Sequence, residues 1–275
     1  MKKILLILFS LSLLSLTTIS NAKSIRIGTE GAYPPWNNLN SAGELEGAEI
    51  DFGNEACARM GVDCEWVTQD WDGIIPALLQ GKYDIIIAGM SITEERKEKV
   101  NFTNGYMTDG ARFAVLKGSG LADLNIVPKV NLNNAGGKEQ AAIGQLIAAM
   151  DGSTVCVQSS TIHQNFLEKH MSGAVKVKLY QAVDDHNLDL AAGRCDAILA
   201  DVGSIIDFME SDGGVDVAFT GPTFSGGVFG DGVGGAVRKE DTDIVNMWNK
   251  AIAEMSADGT TAEITKKWFG RDISM

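Results

Sequence analysis

The chain has 275 residues, 45% of them hydrophobic, and a formal net charge of −13. So acidic a balance argues against nucleic acid or an anionic membrane surface as partner, and the length allows one large or two mid-sized cores. Residues 1–22 open Met1-Lys2-Lys3, continue as a Leu/Ile-rich run from Ile4 to about Leu16, and end Ser20-Asn21-Ala22. This is the pattern of a secretory signal peptide cleaved after about Ala22. As a membrane anchor the run falls short of the roughly 20 apolar residues a span needs, and Thr17, Thr18 and Ser20 follow it at once. Loss of Lys2 and Lys3 takes the formal charge from −13 to −15.

After the signal, short apolar strands alternate with helical patterns. Ile25–Glu30 reads as a strand, Ile50–Met60 as a helix, Cys64–Gln69 as a strand, Asp72–Gln80 as a helix and Tyr83–Gly89 as a strand. That order is the βαβαβ unit of a parallel α/β sheet. The unit restarts with strand Thr154–Gln158, helix Thr161–His170, strand Val175–Tyr180, helix Asp185–Ala192 and strand Cys195–Asp201. The two third strands match in pattern over nine residues, Gly81-Lys82-Tyr83-Asp84-Ile85-Ile86-Ile87-Ala88-Gly89 against Gly193-Arg194-Cys195-Asp196-Ala197-Ile198-Leu199-Ala200-Asp201. Between the units, residues 119–152 form an excursion with a Gly144–Met150 helix. The tail adds a Gly-rich strand, Phe229–Arg238, and helices near Asp243–Ser256 and Thr260–Phe269. Two sheets imply two lobes. The first lacks strands without the tail, so we expect the chain to return to it there: residues 23–108 and 230–275 in lobe 1, 109–229 in lobe 2, with a two-strand hinge.

The cysteines suit export. Cys57 and Cys64 flank a helix end, a Gly61 cap and a strand start, and are expected to pair, adding roughly 2.5 kcal/mol on the loop-entropy model; two buried thiols are the alternative. Cys156 and Cys195 lie in different strands, and their pairing needs a geometry that sequence does not show. His163, His170 and His186 are scattered, with no Cys-x-x-Cys or His-Glu-x-x-His, so no metal or cofactor is expected.

Open α/β sheets bind ligands beyond the carboxyl ends of their strands, which places a site in the cleft between lobes. Ile85–Ile87 is the apolar run of a strand buried on both faces, and small Ala88 and Gly89 open the backbone to approach. Ser91-x-x-Glu94 fits a capping box, with Thr93 a second cap candidate. A helix start attracts an anion, and Arg96 one turn in adds a bidentate fork for a carboxylate; the plainer reading leaves Arg96 on a solvated face. Glu30 and Tyr33 lie in the Gly/Pro-rich loop after the first strand, and Trp71 just past the second. Tyr33 and Trp71 would wall a ligand side chain and Glu30 would meet a positive end. In the second lobe Gln158, Ser159, Ser160 and Thr161 offer hydroxyls and N–H groups to a carboxylate. Asp201, at the end of an apolar strand, needs a partner; an α-ammonium group or a capping role would each supply one.

Together Gly28-Thr29-Glu30-Gly31-Ala32-Tyr33-Pro34-Pro35-Trp36, Trp71-Asp72-Gly73-Ile74-Ile75-Pro76, Met90-Ser91-Ile92-Thr93-x-x-Arg96, Gln158-x-Ser160-Thr161, Leu188-x-Leu190-x-x-Gly193-Arg194-x-Asp196 and Phe229-Gly230-Asp231-Gly232 resemble the periplasmic polar-amino-acid-binding proteins of ABC importers. The nearest branch holds the lysine/arginine/ornithine-, histidine- and opine-binding proteins. The resemblance covers essentially the whole mature chain. It implies a type II, Venus-flytrap fold in which Arg96, Ser91 and Thr161 hold an α-carboxylate, Asp201 and the Gly89 carbonyl hold the α-ammonium, and Tyr33, Trp71 and Glu30 surround the side chain. It also implies a monomer that delivers its amino acid to the membrane subunits of an ABC permease. The basic-amino-acid proteins commonly carry Asp at Glu30, Phe at Trp71 and serines at Ala88 and Gly89. Glu30-Gly31, Trp71-Asp72-Gly73 and Phe224-Ser225-Gly226-Gly227 look more like the opine branch, whereas Asp201 favours a free α-ammonium. Arginine or a related cationic amino acid is expected first, an opine second.

Enzyme readings are weaker. Gly89-Met90-Ser91-Ile92-Thr93 approaches a nucleophile elbow, but no His follows His186 to activate Ser91. A same-fold dehydratase could use Glu30 or Asp201 as general acid, but Arg96 and Asp201 already match a zwitterion-binding role. A sensor module would use the same cleft.

Overall fold

The computed structural model describes residues 24–134 and 136–275; the signal segment and its cleavage site lie outside them. Strand β1 (Ser24–Thr29) leads into a small antiparallel sheet of β2 (Ala32–Tyr33), β3 (Asn37–Leu39) and β4 (Leu45–Glu46). Then follow helix α1 (Ala48–Met60), β5 (Asp63–Thr68), a 3-10 turn at Trp71–Gly73, α2 (Ile74–Leu79), β6 (Ile85–Ile86), α3 (Glu94–Lys97) and β7 (Asn101–Met107). The second half runs β8 (Ala111–Leu116), β9 (Lys129–Asn131), α4 (Gly137–Met150), β10 (Thr154–Gln158), α5 (Ile162–His170), β11 (Lys176–Tyr180), α6 (Val183–Ala191), β12 (Ala197–Asp201), α7 (Val202–Glu210) and β13 (Val217–Ser225). The chain ends with β14 (Val233–Val237), α8 (Thr242–Ala257) and α9 (Thr260–Phe269).

Two sheets result, ordered β5-β1-β6-β14-β7 and β11-β10-β12-β8-β13-β9. In each, the repeated unit supplies three parallel strands: β1 pairs with β5 and β6, and β10 with β11 and β12. β14 runs antiparallel to β6 and β7, so the tail does complete the first sheet. The main chain passes between the sheets twice, from β7 to β8 through Thr108–Gly110 and from β13 to β14 through Gly226–Gly232.

Each sheet is covered on both faces, as parallel strands require. Below the first lie Trp36, Phe52 and Trp248, all fully buried, and above it Leu78, Tyr83 and Met90. Phe113, Phe166 and Phe224 fill one face of the second, and Leu190, Ile198 and Ile205 the other. Helix α1 ends where Gly61 adopts the left-handed φ of 64°, its N–H returning to the Cys57 and Ala58 carbonyls; a residue without Cβ is favoured there. Just beyond, Cys57 and Cys64 are bridged across a Cα separation of 6.2 Å. Cys156 and Cys195 are bridged too, at 6.0 Å. Their pairing follows from β10 and β12 being neighbours, with Cys195 entering β12.

Some boundaries differ from the sequence reading. Only Ile85 and Ile86 of the Tyr83–Gly89 run carry ladder pairs; the rest is loop, buried at Tyr83, Ile87 and Ala88 and half-buried at Asp84 and Gly89. The Asp72–Gln80 helix splits into the 3-10 turn and α2. The helix in the excursion begins at Gly137. Phe229 sits in a 3-10 turn ahead of the strand that starts at Val233. The helix bearing Arg96 is capped by Thr93, whose hydroxyl accepts the Arg96 N–H at 3.2 Å, rather than by a Ser91–Glu94 box. Ser91 instead bridges to Val233.

Candidate functional site

The carboxyl ends of β1, β5 and β6 face those of β10 and β12. From the first sheet come Glu30 and Tyr33 in the turn after β1, Trp71 after β5, Ala88, Gly89 and Ser91 after β6, and Arg96 on α3. From the second come Gln158 at the end of β10, Thr161 as N-cap of α5, and Asp201 at the end of β12. These ten residues line one cavity of about 20 Å³, together with Ile162 and His163, which sequence reasoning missed. Both follow the Thr161 cap in the first turn of α5. That placement was the available signal, since a helix start aimed at a cleft presents its first residues to it. Of the expected residues, Ser159 and Ser160 lie outside the cavity. Ser160 lines an outer groove of about 670 Å³ that shares Trp71, Arg96 and Ile162 with the cavity. Its backbone is left-handed, φ 57°, and its carbonyl accepts the Trp71 Nε1–H at 3.0 Å.

Charges of both signs meet inside. Arg96 donates from Nη1 to the Ser91 carbonyl at 3.0 Å and its guanidinium lies 5.2 Å from the Trp71 ring centroid. No carboxylate among the described residues forms an ion pair with it. Burial lowers its pKa to about 10, with Glu95 and Asp201 pulling the other way, so it is cationic at neutral pH. A desolvated guanidinium without an anion is poised to take one up in a bidentate pair.

Asp201 and Glu30 are the opposite poles. The Tyr33 hydroxyl donates to Asp201 Oδ2 at 2.8 Å, and His163 Nε2 lies 3.3 Å from Oδ1 without hydrogen-bond geometry. Burial holds the Tyr33 hydroxyl well above its usual range, Asp201 adding to the rise, so it remains a donor. Gln158 Nε2 donates to Glu30 Oε1 at 2.5 Å. Burial still pushes the Glu30 carboxyl up to about 7, the Gln158 bond opposing it and Asp70, Asp72 and Asp184 reinforcing it.

The two halves touch across the cleft. Besides Tyr33–Asp201, Glu30–Gln158 and Trp71–Ser160, the Ser159 hydroxyl donates to both Asp72 carboxylate oxygens at 2.9 Å, and Asn165 Nδ2 donates to Glu95 at 3.0 Å. Asp109, at the β7–β8 crossing, accepts the Gly203 N–H at 2.6 Å and an Arg271 N–H at 2.7 Å. Burial lifts its carboxyl to about 6. This is a closed cleft between two sheets, with a cation on one wall and carboxylates beyond it.

The sequence profile of the bacterial extracellular solute-binding proteins, family 3, matches residues 25–271. An L-arginine-binding protein of Pseudomonas aeruginosa is 38% identical over 99% of this chain and 98% of its own length. An octopine-binding periplasmic protein of Rhizobium meliloti is 38% identical over 92% of each chain. Among solved structures, an ancestral arginine-binding protein bound to arginine superposes with a TM-score of 0.76 at 33% identity, covering 90% of this chain and 98% of that one. With its two-sheet, two-lobed architecture and a match over nearly all of the described residues, the chain belongs to the bacterial extracellular solute-binding proteins of family 3.

Proposed function

We propose that this protein captures a cationic L-amino acid, arginine first, with lysine, ornithine and histidine as lesser ligands, in the periplasm and delivers it to an ABC permease. The observation that carries the reading is the charge pattern of one cavity: a guanidinium at Arg96 with no ion pair among the described residues and two buried carboxyls at Asp201 and Glu30. In this reading Arg96, Ser91 and Thr161 hold the α-carboxylate, and Asp201 with the Gly89 carbonyl holds the α-ammonium. Tyr33 and Trp71 flank the side chain, whose positive end meets Glu30. The arginine-binding relative and the arginine-bound structural neighbour support the ligand class. The chain acts as a monomer, after cleavage near Ala22, without turnover of its ligand.

An opine is the second reading, favoured by the octopine-binding relative of equal identity. Asp201 weighs against it, because a secondary amine offers one fewer N–H than an ammonium group to the carboxylate. Calorimetric titration of refolded, ligand-stripped protein with arginine, lysine, ornithine, histidine, glutamine and octopine separates the two. Tight binding of a cationic amino acid is expected; binding of octopine or glutamine alone would overturn the side-chain assignment.

A further inference from the structure

We propose that Glu49 is a positioning residue of the ligand site, whose carboxylate holds the Gly89 N–H from behind and ties the turn bearing Glu30 and Tyr33 to the same anchor. Glu49 lies in the first turn of α1, fully buried, where the helix dipole favours a negative charge. It contacts the cavity only through other residues. The Gly89 N–H is 2.8 and 2.7 Å from its two oxygens, the Tyr106 hydroxyl donates to Oε1 at 2.5 Å, and Asn37 Nδ2 donates to Oε2 at 2.9 Å. Asn37 in turn accepts the Gly31 N–H at 2.8 Å, next to Glu30. One carboxylate therefore ties together two turns of the first lobe that line the cavity.

Gly89 is the point where this matters. Its φ of 60° is open to few residues other than glycine, and with the N–H fixed this torsion sets the direction of the next peptide. No group among the described residues donates to the Gly89 carbonyl. The inference rests on the amino-acid-binding reading, in which that carbonyl meets the ligand's α-ammonium. A carboxylate suits the anchor because all of its neighbours donate. An amide there turns one oxygen into a donor. Asn37 cannot rotate to receive it without releasing Gly31, so the new N–H turns to the Tyr106 hydroxyl and Gly89 keeps one acceptor instead of two.

The test is Glu49→Gln, with two readouts in full-length mature protein. The first is the Gly89 amide proton, followed by NMR without ligand. It is expected to move upfield and to exchange at least about tenfold faster than in the parent. The second is the calorimetric affinity ratio of L-arginine to 5-guanidinopentanoic acid, which lacks the α-ammonium. That ratio is expected to shrink by about tenfold. An unchanged Gly89 amide, or equal weakening of both ligands, overturns the proposal. Should the variant fail to fold, Glu49→Asp, which keeps the charge but withdraws it by one methylene, carries the same expected and contrary outcomes. A parent that binds none of the α-amino acids titrated refutes the amino-acid reading alone, while the amide readout still decides whether Glu49 holds Gly89.

Discussion

On the proposed assignment of Glu30 to the ligand's positive end, affinity for a cationic ligand should depend on pH in a calculable way. The Glu30 carboxyl is pushed up to about 7 by burial, and a positive side chain stabilises only the ionised form. The apparent dissociation constant then scales as one plus the protonated-to-ionised ratio of Glu30. Arginine binding should be within a factor of about two of its limit at pH 7 and about a hundredfold weaker at pH 5, or about 1.4 kcal/mol lost per pH unit below 7. The sign is that of an acid whose pKa is raised without ligand: affinity rises with pH through 7 and then levels. Binding at pH 7 should release about half a proton, read from calorimetric enthalpies in buffers of different ionisation heat. Glu30→Gln should flatten the arginine profile and abolish that release, which separates Glu30 from the other raised carboxyls near the cleft, Asp109, Glu49 and Asp184 among them. In the ligand-free protein the same shift opposes folding as pH climbs from 4.5 to 7, because the folded state then holds more protons than the unfolded one. Glu30→Gln should therefore raise the unfolding temperature at pH 8 and leave it nearly unchanged at pH 4. An arginine affinity independent of pH between 5 and 8 in the parent would refute the reasoning.

Arg96→Ala should weaken every α-amino-acid ligand at least tenfold, since a charge-assisted bidentate bond contributes about 1.5–3 kcal/mol; retention of parent affinity in calorimetry would remove Arg96 from the carboxylate role. Asp201→Asn should weaken arginine by a similar factor while sparing 5-guanidinopentanoic acid, and equal losses for both would count against the ammonium assignment. Replacing Cys156 and Cys195 by serine opens a loop with a sequence separation of 39 and should cost up to about 4 kcal/mol, or about 10 °C in the unfolding temperature of a domain this size. A change under about 2 °C by calorimetry would show that this bridge constrains the unfolded chain little. Gly89→Ala forces φ 60° on a residue with a Cβ that would sit 3.4 Å from the Tyr33 ring; a loss of about 1 kcal/mol in stability with weaker arginine binding is expected, checked by denaturant melts and titration.

Much of the site could be read from strand ends. The Ile85–Ile87 run marked a buried strand, and the polar turn after it placed Arg96 one turn into a helix at the mouth of the cleft. Asp201 stood out as a carboxylate closing an apolar strand. What joins these groups was not legible. Tyr33 meets Asp201 across 168 residues of chain and Glu30 meets Gln158 across 128, contacts that exist only once two separately formed sheets face each other. The Cys156–Cys195 bridge was hidden for a related reason: it needs the neighbour relation of β10 and β12, which sequential strand order does not supply. Glu49 was passed over because a glutamate two residues before an aspartate at a helix start looks like ordinary first-turn charge, and its burial depends on Trp36 and the β3 turn folding over it. The overlong Tyr83–Gly89 strand has a simpler cause. An apolar run reports burial, and burial does not count ladder partners.

The bonds across the cleft fall into two groups with separable effects. Glu30–Gln158 and Tyr33–Asp201 lie inside the cavity, so on the proposed assignment an arriving ligand would exchange with them and its chemistry would decide the outcome. Asp72–Ser159 and Glu95–Asn165 are exposed at the rim and, on the proposed lobe closure, would bear on how often the lobes meet, whatever is between them. Apparent affinity scales with the fraction of molecules in the closed form. Substitutions at the rim should therefore slide the dissociation constants of all ligands together, in proportion, leaving their ranking intact. Substitutions at the inner pairs should reorder that ranking, which gives the protein one dial for sensitivity and another for choice.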